Sequence, residues 1–260
     1  MDYDERYPTP QKLLILDFET TGLSPESDNI IELGAILYSV ADRCVLQQFS
    51  SLLPVERNPA EKINRISVVA SQNTPSSAGF QAMLVDWLQE AEYVVAHNAD
   101  FDVQWLPKIE EIDPDWCKEQ FWLCTYNDFV WPKNIKPESL IVTALNHGIG
   151  VSNAHRALID CQLISALFDR VDSFEQILAD AILHSFSPKL RTIAKVSKDK
   201  RDLAKKRGYR WDPGSRQWYS WMTKGRIERE RKEAPFEIWV DESTQKSGRN
   251  TMPPPEHWEL

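Results

Sequence analysis

The sequence predicts an α/β fold followed by a small α+β module. Two observations predict it. Short apolar runs alternate with helical patterns up to about residue 180. The charge then reverses: residues 1–185 carry −16, residues 186–232 carry +11 and residues 233–260 carry −4, within a net charge of −9 over 260 residues.

The first strand is Leu13 to Leu16, an apolar run that reads as buried. Residues two apart on a strand share a face, so Asp17 and Glu19 point the same way. Thr20, Thr21 and Gly22 break the strand. Ile30, Ile31, Leu33, Ala35, Ile36 and Leu37 resume a strand pattern. Two carboxylates at the end of a core strand are costly unless paired or bound to metal. Alone, Asp-x-Glu also fits a polar strand end facing solvent.

Tyr93 to Ala96 forms a second short apolar strand. The chain turns at His97-Asn98 and enters a helical pattern of Phe101, Val103, Trp105 and Leu106. Asp102 falls in the first helical turn, where the helix dipole favours an anion. Asp100 reads as a simple helix cap. Leu158, Leu163, Ile164, Ala166, Leu167 and Phe168 mark an amphipathic helix. His155 falls in the loop before it and Asp160 in its first turns. His97–Asp102 and His155–Asp160 have the same spacing, so spacing leaves open which histidine acts as a base.

Four carboxylates and a histidine in the order Asp17, Glu19, Asp102, His155, Asp160 suit two hard divalent cations, Mg²⁺ or Mn²⁺, beside a group that accepts a proton. Such a pair of cations, about 4 Å apart, clamps the attacking and leaving oxygens of an in-line displacement. The chemistry expected is phosphodiester hydrolysis.

Three motifs jointly resemble the DnaQ-like 3′–5′ exonuclease family in its DEDDh branch. They are Asp17-Phe18-Glu19-Thr20-Thr21-Gly22, His97-Asn98-Ala99-x-Phe101-Asp102 and His155-Arg156-Ala157-Leu158-x-Asp160. Trp122-Leu123-Cys124-Thr125, Leu140 to Leu145 and His155 through Cys161 most resemble the exonuclease X subgroup. The resemblance covers roughly residues 10–170. It implies an RNase H-like mixed sheet flanked by helices over residues 8–180. It also implies that Asp17, Glu19, Asp102 and Asp160 bind two metals, that His155 is the general base and that His97 belongs to a strand-end turn. Asn64-Arg65-Ile66-Ser67 stands where the family often has His-x-Ile-Thr, which makes Ile66 a candidate for contact with the substrate's terminal bases; Thr20 is a further substrate-binding candidate. DNA is the expected substrate, in single-stranded ends, with nucleoside 5′-monophosphates as products. An exoribonuclease is the alternative, and a catalytically inert nucleic-acid-binding protein a further one.

The C-terminal module is expected over residues 186–241. Lys189 to Val196 and Arg216 to Trp221 read as strands around a helix at Asp199 to Gly208. Asp212-Pro213-Gly214 is a turn signal. Arg226 to Lys232 reads as a charged helix or linker and Phe236 to Val240 as a last short strand. Residues 242–260, with Pro253-Pro254-Pro255, read as a disordered tail. Aromatics interleaved with basic residues suit a single-strand platform. Arg207, Arg210, Tyr219 and Trp221 are the candidate contacts, with Tyr209 also expected at the surface and Trp211 and Trp218 in the small core.

Cys44, Cys117, Cys124 and Cys161 form no Cys-x-x-Cys and no zinc cluster. Single buried thiols in a reducing cytosol account for them. The N-terminus reads as polar rather than as a secretion signal, and no apolar run is long enough to span a membrane. The expectation is a cytoplasmic protein whose partner is nucleic acid.

Overall fold

The computed structural model describes residues 9–151 and 155–250. In chain order the strands of the first sheet are β1 (Lys12–Thr20), β2 (Ile30–Ser39), β3 (Cys44–Leu52), β4 (Tyr93–Ala96) and β5 (Trp122–Cys124). Two short helices, α1 (Glu61–Asn64) and α2 (Val68–Gln72), precede α3 (Ala78–Glu90). α4 (Asp102–Trp105) follows β4, and α5 (Leu140–Asn146), α6 (Ala157–Arg170) and α7 (Phe174–Phe186) follow β5.

The sheet order is β3-β2-β1-β4-β5. β1, β2 and β3 pair antiparallel, whereas β4 pairs parallel with β1 and β5 parallel with β4. This is the expected RNase H-like mixed sheet. Strand alternation divides β1 between two cores. Leu13 and Ile15 pack with α6 and α7 on one face. Leu14, Leu16 and Phe18 pack with Trp87 of α3 and Trp105 of α4 on the other. The odd-numbered positions continue as Asp17 and Glu19, so both carboxylates lie on the α6 face.

Gly34 fixes how closely α6 approaches. A Cβ built there would lie 2.3 Å from the Leu158 backbone nitrogen. Only glycine lets the first turn of α6 press on β2 and bring Asp160 toward β1.

The second sheet contains β6 (Lys189–Lys195), β7 (Arg210–Asp212), β8 (Gln217–Met222) and β9 (Glu237–Lys246), in the order β7-β8-β6-β9. α8 (Arg201–Lys206) and α9 (Lys224–Glu233) complete it. Leu190, Ala194, Met222, Ile227, Ala204 and Tyr209 form its small core. The sequence reading is corrected here on two aromatics. Tyr209 is buried, because the turn at Gly208 (φ +85°) directs it under Phe236. Trp211, expected inside, is 49% exposed on the edge strand β7.

The expected disordered tail is also corrected over residues 242–250. β9 continues to Lys246, and the segment after it crosses to the first sheet. Asn250 accepts a hydrogen bond from Trp122 N (3.0 Å) and donates to Trp122 O (3.2 Å) and Ser185 Oγ (2.8 Å), in the manner of an added strand residue. Arg249 pairs with Asp128 and Asp100. Proline-rich residues 251–260 lie outside the described residues. Among the cysteines Cys44 is exposed, on the outer strand β3, and the other three are buried. No helix among the described residues is long and apolar enough to cross a membrane.

Candidate active site

Asp17 and Glu19 end β1 on the α6 face, and Asp160 descends from the first turn of α6. Carboxylate oxygens of these three lie within 4.8 Å of one another. Asp102 stands outside that trio but faces Asp17, whose carboxyl it pushes upward more than any other neighbouring charge does. α4 presents it at the carboxyl end of β4, beside the end of the parallel strand β1. The sheet thus gathers all four predicted carboxylates at one end, where ligands of open α/β sheets commonly sit.

The cluster is electrostatically costly. Burial raises the Asp17 pKa well above the ordinary carboxylate range, and Asp102, Asp160 and Glu19 add to it. Burial, then Asp160, pushes Glu19 to about 7. Burial raises Asp160 to about 6 and raises Asp102 also. Oδ1 of Asp102 is buried without a hydrogen-bond partner. A buried acceptor without a donor, facing a converging set of hard oxygens, fits a divalent cation.

The histidines separate. His97 is buried, its Nδ1 2.9 Å from Thr125 Oγ1, and burial lowers its pKa to about 4. It is neutral and tied down in the strand-end turn, where Asn98 takes a left-handed conformation (φ 68°). His155 is exposed just before α6, itself left-handed (φ 61°), and its charge lowers the Asp160 pKa.

Glu32 was missed by the sequence reading. It is a charged residue in a wholly buried strand and stands across from Glu19 in the β1–β2 register. Arg156 holds it with two hydrogen bonds, and the Ala157 backbone N–H donates to it at 3.1 Å. Glu32 therefore caps the N-terminus of α6, a favourable place for a carboxylate. The signal was a lone acid inside the apolar run Ile30 to Leu37.

Three substrate-contact candidates are buried or paired within the protein. Thr20 is buried, and its hydroxyl donates to Gly22 O. Ile66 is buried too, in a pocket with Ile31 and Val55. The buried Asn64 fixes it there, accepting from Ile66 N and donating to Thr20 O; Ile63 is the exposed isoleucine of that stretch. Arg207 is engaged by Glu230 in a two-point ion pair at 2.7 Å and by Glu233, so it holds α8 to α9. Arg210 is exposed, and Tyr219 and Trp221 are half-buried on β8.

Comparison with known proteins decides the family. The sequence pattern of the exonuclease (RNase T) family matches residues 14–168. The chain belongs to this exonuclease family, in its DnaQ-like 3′–5′ branch. The exonuclease match contains all four carboxylates and His155, and ends before the second sheet. A PolC-type DNA polymerase III of Thermotoga petrophila is 27% identical over 180 residues, which is 65% of this chain and 12% of the relative. The DNA polymerase III subunit epsilon of Treponema pallidum is 29% identical over 161 residues, 58% of this chain and 72% of the relative. This chain thus spans a small part of the PolC-type relatives. Among solved structures, an E. coli exonuclease I complex with single-stranded DNA has a TM-score of 0.57 at 18% identity, covering 81% of this chain and 50% of that one. At that identity the likeness is one of fold.

Proposed function

We propose that this exonuclease removes nucleoside 5′-monophosphates one at a time from the 3′ ends of single-stranded DNA. The observation that carries the reading is the convergence of Asp17, Glu19 and Asp160 on one point with Asp102 beside them. Asp17, Glu19, Asp102 and Asp160 would hold two divalent cations, Mg²⁺ or Mn²⁺. When bound, such ions lower the pKa of water and neutralise charge on the departing oxygen.

The protein's own residues do the rest. Raised carboxylate pKa values mean that the cluster exchanges protons for cations. His155, exposed at the rim and near Asp160, is placed to take a proton from water. An imidazole is the side chain most often used for such a transfer. Glu32 and Arg156 fix the start of α6 and so the position of Asp160. The second sheet and its helices, carrying the positive charge of residues 186–232, supply affinity for the polyanion.

DNA is favoured over RNA because the relatives are named as DNA polymerase III components and the exonuclease I structure holds single-stranded DNA. Strands of DNA and RNA labelled at either end, with Mg²⁺, Mn²⁺ or EDTA, test the reading. A metal-dependent ladder from 5′-labelled DNA, with immediate release of a 3′ label as mononucleotide, is expected. Failure to cut any strand would overturn it in favour of a binding protein.

A further inference from the structure

A cleft of about 660 Å³ separates the two sheets. Asn98, Asp100 and Tyr126 line it from the exonuclease side, two residues from Asp102 in the case of Asp100. Arg210, Tyr219, Trp221 and Lys246 line it from the second sheet. Seven Lys and Arg residues border it against the single acid Asp100. Four of the seven are neutralised: Arg249 by Asp128 and Asp100, Lys189 by Asp128, Arg207 by Glu230 and Lys136 by Glu138. Arg210, Arg226 and Lys246 have no carboxylate partner among the described residues.

Arg226 is the most telling of the three. It is half-buried, and its one hydrogen bond runs to a neutral acceptor, Asn127 O, at 3.2 Å. A guanidinium carries five donors, so most of those of Arg226, a residue that lines the cleft, are free of protein acceptors. Burial lowers its pKa. Asp128 and Glu230 act on it through space but neither pairs with it, which leaves room for an anion that arrives from outside. Lys246 Nζ lies 4.6 Å over the Trp221 ring. A phosphate would draw the ammonium away and leave the ring for a base.

A second basic groove, of about 940 Å³, contains Trp211, Trp218, Arg201 and Lys205. Only residues of the second sheet and its helices border it, so a strand there has no direct route to Asp102. We propose that the inter-sheet cleft carries the single strand behind the 3′ end. Trp221 and Tyr219 stack bases there, and Arg210, Arg226 and Lys246 take phosphates. The second sheet is then one wall of the substrate path rather than a remote tether. The inference rests on the exonuclease reading above.

Photocrosslinking locates the strand independently of cleavage. Full-length protein in EDTA is mixed with single-stranded DNA bearing one 5-iodouracil, moved stepwise back from the 3′ end. Crosslinks from internal positions are expected on Tyr219 or Trp221. Internal crosslinks on Trp211 or Trp218, or on the exonuclease sheet alone, would overturn the proposal and leave the exonuclease reading standing. In binding titrations Trp221→Ala should weaken affinity about ten- to hundredfold. Lys246→Gln with Arg226→Gln should reduce the slope of log K against log salt by about 1.4, at about 0.7 per phosphate. Arg201→Gln with Lys205→Gln should leave that slope unchanged, and the reverse pattern would assign the strand to the second groove. Lys246→Gln alone serves if the Arg226 variant does not fold.

Discussion

Arg156 grips Glu32 through two hydrogen bonds of 2.9 and 2.7 Å, and Glu32 stands directly across the β1–β2 ladder from Glu19. The ion pair ties β2, the neighbour of the strand that carries Asp17 and Glu19, to the start of the helix that carries Asp160. It also keeps Glu32, the carboxylate of the group without a proposed metal-binding role, turned to the helix N-terminus.

Glu32→Ala should therefore cost about 1–3 kcal/mol of stability, through the lost cap and the Arg156 pair. It should also lower turnover, because Asp160 loses its fixed position. Urea unfolding midpoints and kcat on a short strand check both. Unchanged stability with unchanged kcat would remove Glu32 from the account.

His155→Ala should lower kcat by about 10²–10⁴, the usual loss of a general base. His97→Ala should act mainly on stability, since His97 is buried against Thr125 and already neutral near pH 7. A larger kcat loss for the His97 variant at equal stability would exchange the two roles.

The metal-free protein should become less stable as pH rises from about 4 to 7. Glu19 near 7 and Asp160 near 6 keep protons in the folded protein. Unfolded carboxylates release theirs near about pH 4. The folded state thus binds more protons across this window, and raising pH favours the unfolded chain. Added Mg²⁺ should flatten the dependence. Melting temperatures measured in EDTA that climb over the same window would contradict the cluster's electrostatics.

Arg207→Ala should behave as a structural variant. Its side chain is held by Glu230 and Glu233, so the loss should appear as about 1–3 kcal/mol of unfolding free energy. The salt slope of DNA binding should stay near that of wild type. A drop of about 0.7 in that slope at unchanged stability would return Arg207 to the substrate contacts.

What the sequence makes legible follows from periodicity and local chemistry. β1 and β4 are short apolar runs with carboxylates at their ends, and the amphipathic stripe of α6 leads back to His155 and Asp160. These features place the metal-site candidates without tertiary information. The burial of Ile66 and the pairing of Arg207 were not legible because their surroundings come from distant segments, Ile31 and Val55 for one and α9 for the other. Arg249 and Asn250 were read as tail for the same reason. Their polarity suggests disorder until Asp128, Asp100 and the Trp122 backbone supply partners across more than a hundred residues. Glu32 was the one omission with a local signal, an acid on a strand otherwise fit only for the core.

Asp17 belongs to the proposed metal-binding carboxylate cluster, and Asp17→Asn probes that role with little disturbance of the fold. The change removes one negative charge from a crowded buried site at nearly constant volume. Cleavage of 5′-labelled single-stranded DNA in Mg²⁺ is measured on variant and wild type, with the metal-free melting temperature as a control for folding. A folded variant is expected, as stable as wild type or more so in EDTA, whose rate falls by more than a hundredfold, about 3 kcal/mol in the barrier. A folded variant that keeps more than about a hundredth of the wild-type rate would contradict that role.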